Sequence, residues 1–274
     1  MTPAPFRKLI WSHYRKDGRH SLPWRRTRDP YRILVSEVML QQTQVDRVIP
    51  KYRSFFKKFP TFKALANASL QSVLIEWKGL GYNRRALGLK RAAEGVVKEY
   101  GGKLPQDYAS LLKLPGIGPY TAHAVRTFTW NEPEVFIETN IRSVYIHHFF
   151  DKATPQRPDH KISDIQLMPI IEKTLDTKKP REWYYALMDY GAHLKKTAGN
   201  ASRKSSLYSR QSKFKGSHRE LRALVLHEVA KKKRSTVPDI ARAIAKEKAE
   251  VASAIIELVQ EGFVVYSGKI VSVA

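Results

Sequence analysis

Cysteine is missing altogether from the 274 residues. Its absence excludes disulfides, thiolate catalysis, Cys-ligated zinc and a Cys-held iron–sulfur cluster. Acidic residues are scarce beside basic ones: 25 Asp+Glu face 49 Lys+Arg, for a formal charge of +24. An excess of that size points to a polyanionic partner, nucleic acid first and an anionic membrane surface second. No apolar run approaches the ~20 residues that span a bilayer, and no signal peptide precedes Pro3-Ala4-Pro5. The chain is therefore expected in the cytoplasm, nucleoid-associated and without a membrane partner. Period-two alternation is also missing until the C-terminal end, so the body is predicted to be all-α.

What is present is a series of helical patterns with clear punctuation. Phe6, Leu9, Ile10, His13 and Tyr14 predict a first amphipathic helix that Gly18 stops. After the irregular stretch Leu22-Pro23-Trp24-Arg25-Arg26, residues Ile33 to Val48 read as one buried helix. Further helices are predicted over Lys51–Phe59, Ala64–Ala68, Leu70–Trp77 and Arg84–Tyr100. Leu114-Pro115-Gly116-Ile117-Gly118-Pro119-Tyr120 then separates two apolar helical patterns with a tight turn. The second helix begins at Gly118-Pro119 with its first N–H groups unpaired, and in so basic a chain such an end suits a phosphate. Gly116 and Gly118 are thus candidate DNA contacts.

Two acids stand out. Glu37 sits among Ile33, Leu34, Val38 and Leu40; either it points to solvent from a polar edge, or it is a buried carboxyl that can donate a proton near neutral pH. Glu138 falls where Val135-Phe136-Ile137 gives way to a helix with Thr139 or Asn140 as the expected N-cap, and the helix N-terminus favours an anion there. Capping alone would explain Glu138. Paired with Glu37, it meets the needs of glycosidic cleavage, in which one carboxyl protonates the leaving group and another stabilises positive charge on the sugar.

Leu22-Pro23-Trp24-Arg25, Val35 to Val45, Trp77-Lys78-Gly79-Leu80-Gly81-Tyr82, Leu114 to Ala122 and Met188-Asp189-Tyr190-Gly191 together resemble the motifs of MutY-type adenine DNA glycosylases, in order, over about residues 5 to 194. The resemblance implies a mainly α helix-hairpin-helix glycosylase fold of two helical domains around a cleft, into which a nucleotide is flipped from double-stranded DNA. It implies that Glu37 protonates the purine, that Glu138 stabilises the oxocarbenium-like sugar, and that Tyr120 and Asn140 support it. Gln42 and Tyr82 would enter the base stack, while Leu22, Trp24 and Arg25 would line the base pocket. A monovalent cation at the hairpin is a family feature. Strand-cutting relatives carry a nucleophilic lysine where this chain has Tyr120, so the resemblance implies a monofunctional, hydrolytic enzyme acting as a monomer.

Four features depart from the family pattern. Glu138 replaces an aspartate, shifting the carboxylate by about 1 Å. The segment after Gly191 lacks the cluster cysteines and is instead rich in Ser, Lys and Arg. Tyr185 stands in the base pocket where adenine-specific members present an amide or carboxylate, which leaves hypoxanthine or a mismatched pyrimidine (T or U opposite G) open as the excised base. The tail from about Ser217 is expected not to be a Nudix-like domain, being too short and of the wrong pattern. Arg219–Ala230, Val237–Ile244 and Glu247–Glu261 read as three helices before a Gly-turn hairpin, a small winged helix-turn-helix that either contacts DNA or docks on the body or a partner. The expected organisation is a body over 1–194 (a six-helix barrel at about 20–130; residues 1–19 with 131–194 as the second helical domain), a basic linker at 195–216 and a winged helix at 217–274. This linker is either a disordered, solvated tether or a replacement for the cluster loop that lies, with Lys195 and Lys196, along the DNA backbone. A reading of another class is a non-catalytic DNA-binding regulator, which would have no use for an acid at position 37.

Overall fold

The computed structural model describes residues 1–150 and 161–274. Helix α1 (Pro3–Asp17) buries Phe6, Ile10 and Tyr14 at the predicted spacing, and a 3-10 turn at Pro23–Arg25 leads to α2 (Pro30–Leu40). The single helix expected over Ile33–Val48 is two. α2 ends at Leu40, Gln42 takes a left-handed backbone (φ 52°), and α3 (Val45–Lys58) begins six residues before the expected Lys51. The break is stable because the guanidinium of Arg85 donates to carbonyls at and just past the end of α2, those of Val38, Met39 and Gln41, at 2.7, 3.0 and 2.6 Å. Next come α4 (Phe62–Ala66) and α5 (Leu70–Trp77), started by Thr61 and Ser69 as side-chain N-caps. Helix α6 (Arg84–Tyr100), α7 (Tyr108–Lys113), α8 (Pro119–Trp130), α9 (Thr139–Phe149), α10 (Asp164–Thr174) and α11 (Pro180–Thr197) complete the body. The C-terminal part comprises α12 (His218–Lys232), β1 (Arg234–Thr236), α13 (Val237–Ile244), α14 (Lys248–Gln260), β2 (Val264–Ser267) and β3 (Ile270–Val273).

These elements form two compact units. One comprises Met1–Leu34, Gln106–Leu112 and Gly118–Arg210; the other comprises Val35–Pro105, Lys113–Ile117 and Gln211–Ala274. In the first, α11 packs on α1, α8 and α9. Its core is aromatic: Phe6 meets Tyr145, Phe149 and Trp183 at centroid distances of 5.2, 5.1 and 6.0 Å, in tilted or edge-on geometry. In the second, α4 and α5 lie on α6, and Trp77 and Phe55 are fully buried edge to face.

The C-terminal residues form the expected three helices and wing, with the helix bounds within two residues of those predicted. A third strand was not foreseen. β1 pairs antiparallel with β3, so the sheet order is β1-β3-β2 with Ser235 opposite Val271. At three residues β1 has no periodicity of its own, and its extended form comes from its partner. This part shares the unit of α5 and α6: α12 packs on α5, Gln71 donates to the Ala230 carbonyl at 2.7 Å, and Arg84 pairs with Glu261 at 3.0 Å.

Candidate functional site

Glu37 is 6% exposed, and every residue of α2 from Ile33 to Met39 is buried. The carboxyl therefore belongs to the interior and not to a polar edge. Five residues on from Glu37, the chain turns through exposed Gln42; Tyr82, 38% exposed, lies in the α5–α6 joint. Both residues have left-handed backbones, φ 52° and 48°, a conformation that costs a non-glycine residue about 1 kcal/mol or more.

Arg85 holds both loops in place. Besides the α2 carbonyls, it donates through Nη2 to Thr43 Oγ1 and to the carbonyls of Leu80 and Gly81, at 3.0, 3.1 and 3.0 Å. Its guanidinium lies 5.5 and 5.6 Å from the ring centroids of Tyr82 and Trp77. Burial pushes its pKa down to about 10, partly opposed by Tyr82, so it stays protonated at neutral pH. Sequence reading missed this residue, because an arginine in a basic helix carries no signal of its inward direction.

In the hairpin, Ile117 N–H donates to the Leu114 carbonyl at 3.2 Å, and Gly116 has φ +80°. A Cβ at Gly116 would meet Gly88 Cα at 3.0 Å, so α6 and the hairpin touch backbone to backbone. Gly118 is the N-cap of α8 and supplies no side-chain acceptor. Tyr120 follows one residue inside that helix and meets Phe136 edge to face at 5.8 Å.

Glu138 itself caps α9, not Thr139 or Asn140 as expected. Its Oε1 accepts the N–H groups of Asn140 and Ile141 at 2.7 and 2.8 Å, and Oε2 accepts from Asn140 Nδ2 at 3.2 Å. The longer side chain of glutamate folds back on its own helix, whereas Thr139 and Asn140 already lie within the first turn. Lys195, in the last turn of α11, donates to Asn140 Oδ1 at 2.8 Å, while Lys196 is exposed. Burial lowers the Lys195 ammonium below the ordinary lysine range, and the nearby charge of Glu138 opposes that shift.

The residues expected to line a base pocket cluster in the same unit. Leu22 and Trp24 are buried, and Arg25 forms a two-pronged pair with Asp189 at 2.6 and 2.8 Å. Arg19 adds a backbone N–H at 2.8 Å and Nε at 2.5 Å to the same carboxylate. Burial alone would raise the Asp189 pKa; the hydrogen bonds and charges of Arg25 and Arg19 outweigh it and hold the pKa below the usual carboxylate range. Tyr185 stacks on Phe128 at 4.6 Å with planes 5° apart, and the Arg25 guanidinium lies 4.5 Å from its centroid.

The segment after α11 pairs with the residue stretch just ahead of α10. Ile162 N–H donates to Lys204 at 2.8 Å and Ser206 N–H to Ile162 at 2.9 Å, while Ser202 and Ser205 are buried. A thiolate-held cluster does not fit this chain, which has no thiol to offer. Among the described residues, no group of three His, Asp or Glu side chains is placed to hold a metal ion. Nor is any helix among them long and apolar enough to cross a membrane.

A family model described as HhH-GPD superfamily base excision DNA repair protein matches residues 35–169. A solved structure of a thermostable thymine-DNA glycosylase is 30% identical, with a TM-score of 0.59 over 69% of this chain and 87% of that one. The chain belongs to the HhH-GPD superfamily. This HhH-GPD chain is also 35% identical over 196 residues to the adenine DNA glycosylase of Buchnera aphidicola subsp. Baizongia pistaciae, covering 70% of this chain and 53% of that protein. It is 36% identical over 196 residues to the human adenine DNA glycosylase, covering 68% of this chain and 35% of that protein. It thus spans about half the length, or less, of the curated relatives it matches. A non-covalent endonuclease III–DNA complex, 18% identical with a TM-score of 0.59 over 72% of this chain and 89% of that one, shares the HhH-GPD fold. The superfamily match takes in Glu37, Gln42, Tyr82, Tyr120, Glu138 and Asn140; Tyr185 and Lys195 lie beyond it.

Proposed function

We propose that this chain is a monofunctional DNA glycosylase that hydrolyses the N-glycosidic bond of a flipped purine, adenine in a mispair, and leaves an abasic site. The observation that carries the reading is the interior position of Glu37 on α2, in a chain 35% identical over 196 residues to an adenine DNA glycosylase. A buried carboxyl suits the part of general acid, because taking a carboxylate out of water disfavours the anion. Here the proton acceptor is a purine ring nitrogen.

Protonation turns the base into a neutral leaving group, and the bond to C1′ breaks with positive charge developing on the sugar. The Glu138 carboxylate, fixed by the N–H groups of Asn140 and Ile141, stabilises that charge. Water then adds at C1′ and releases its proton. Gln42 and Tyr82 fill the gap in the base stack, and the hairpin amides grip a phosphate. The net charge of +24 supports double-stranded DNA as the partner. With Tyr120 in place of an amine, no Schiff base forms on α8.

The test is a panel of duplexes with adenine opposite guanine, hypoxanthine opposite thymine, or thymine or uracil opposite guanine, treated with hot alkali to reveal abasic sites. Adenine release by the parent and none by Glu37→Gln, with duplex binding kept, is the expected result. Equal release by both sinks the role of Glu37, and binding without release from any duplex leaves a non-catalytic DNA-binding protein.

A further inference from the structure

Helix α11 approaches the first turn of α9 unusually closely. A Cβ on Gly191 would fall 2.4 Å from the Asn140 carbonyl oxygen and 2.8 Å from Asn140 Cβ, so only glycine allows this packing. Four residues later on the same helix face, Lys195 reaches the Asn140 side chain. The result is a chain of polar contacts: Lys195 Nζ to Asn140 Oδ1 at 2.8 Å, then Asn140 Nδ2 to Glu138 Oε2 at 3.2 Å. An amide has one donor end and one acceptor end. An ammonium, which only donates, fixes the carbonyl end toward itself and the NH₂ end toward the carboxylate. Without it, the amide can rotate and set its oxygen against Glu138.

We infer that Lys195 is a positioning residue for base excision: through Asn140 it holds the Glu138 carboxylate in the geometry and ionisation that the sugar cation requires. The inference rests on the reading of Glu138 given above. DNA phosphates and exclusion of water both press a carboxylate to take up a proton once a duplex is bound, and a fixed positive charge one amide away opposes this. The other charged and titratable groups on the elements around Glu138 are engaged elsewhere, exposed or turns away along the helix. His147 and His148 are in the last turn of α9, and Glu182 is in the first turn of α11. Arg181 donates to the Arg25 and Thr27 carbonyls, and His193 is exposed. On α9, Arg142 is tied to Asp164 of α10 by two contacts of 2.7 Å. Glu172 and Lys173 are at the far end of α10, and Arg203 and Lys204 of the 3-10 turn Ala201–Lys204 are exposed. On α11, Asp189 is bound by Arg19 and Arg25, and Lys196 is exposed.

The experiment is single-turnover release of adenine from a duplex holding adenine opposite guanine, from pH 5 to 9, for the parent, Lys195→Ala, Lys195→Gln and Lys195→Arg, with thermal melts to confirm folding. In Lys195→Ala and Lys195→Gln the acid limb of the rate profile is expected to move up by about one pH unit, a loss of about tenfold below the limb. Lys195→Arg restores most of the rate. Binding of an abasic-analogue duplex keeps its affinity and salt slope throughout. Unchanged rate and acid limb in folded Lys195→Ala or Lys195→Gln overturn the inference. So does a salt slope lowered by about 0.9, which marks a phosphate contact, or a Lys195-dependent borohydride adduct with an abasic duplex, which marks a nucleophile. Glu138→Gln separates the two levels: if it matches the parent, the underlying reading fails, whereas if it is inactive and Lys195→Ala is not impaired, only the role of Lys195 fails.

Discussion

Asp189 illustrates how a residue inside a recognisable motif acquires its purpose only from partners far along the chain. Met188-Asp189-Tyr190-Gly191 marks the resemblance, yet nothing in that tetrapeptide says that Arg19 and Arg25 converge on its carboxylate. The side chains of Arg25 and Asp189 are only 4% and 2% exposed, so removing one charge strands the other in the interior. Asp189→Asn is expected to lower stability by about 3–5 kcal/mol at pH 7. The pH dependence has a definite sign. Because the folded pKa lies below the unfolded one, the stabilisation is full above about pH 4 and is lost as pH falls through the folded value. Urea melts of parent and variant should therefore differ widely at neutral pH and draw together in acid. A gap of constant size would show that the ion pair is not its source. Glu37 was legible as an anomaly in its apolar run, but its burial was not, since the interior-facing side of an almost wholly apolar helix cannot be read from its periodicity.

Among the elements, the hairpin depends most on the absence of side chains. Gly116 combines φ +80° with a backbone contact that leaves no space for a methyl group, whereas Gly118 has φ −92° and open space where its Cβ would be. Gly116→Ala is expected to lower the melting temperature through strain of about 1 kcal/mol plus displacement of α6. Gly118→Ala should melt within about 0.5 kcal/mol of the parent. Equal melting of the two variants would refute the close-contact account. Most helices were legible because 3.6-residue spacing and capping residues agree, as in α5, opened by Ser69. The break between α2 and α3 was not, because Gln41-Gln42-Thr43-Gln44 contains neither Gly nor Pro and its geometry is imposed by Arg85, more than 40 residues away. β1 escaped for the same kind of reason: it is extended because β3 is there.

At the level of the whole molecule, chain order and spatial grouping diverge. Residues from 211 onward share a unit with Val35–Pro105, joined by α12 on α5, Gln71 on Ala230 and Arg84 on Glu261. The sequence reveals a winged helix by its three helical patterns and its Gly-turn hairpin. It does not reveal the docking, because the apolar face that α12 offers to α5 has the same spacing as one buried within its own domain. Cutting the chain after Arg210 should consequently destabilise the part that remains, giving lower melting and earlier aggregation in size-exclusion runs than the full chain. A fragment of residues 1–210 that melts like the parent would show the docking to be energetically idle.

The sheet order adds a consequence for how the protein is made. Among the described residues β3, the last strand, is the middle strand of the sheet, and β1 pairs with it alone. On the ribosome, α5 and α6 emerge well over a hundred residues before this strand, so their unit stays incomplete until translation has passed Val273. A stop codon ahead of Ile270 would therefore release a polypeptide whose β1 and β2 keep open strand edges, a species for proteolysis.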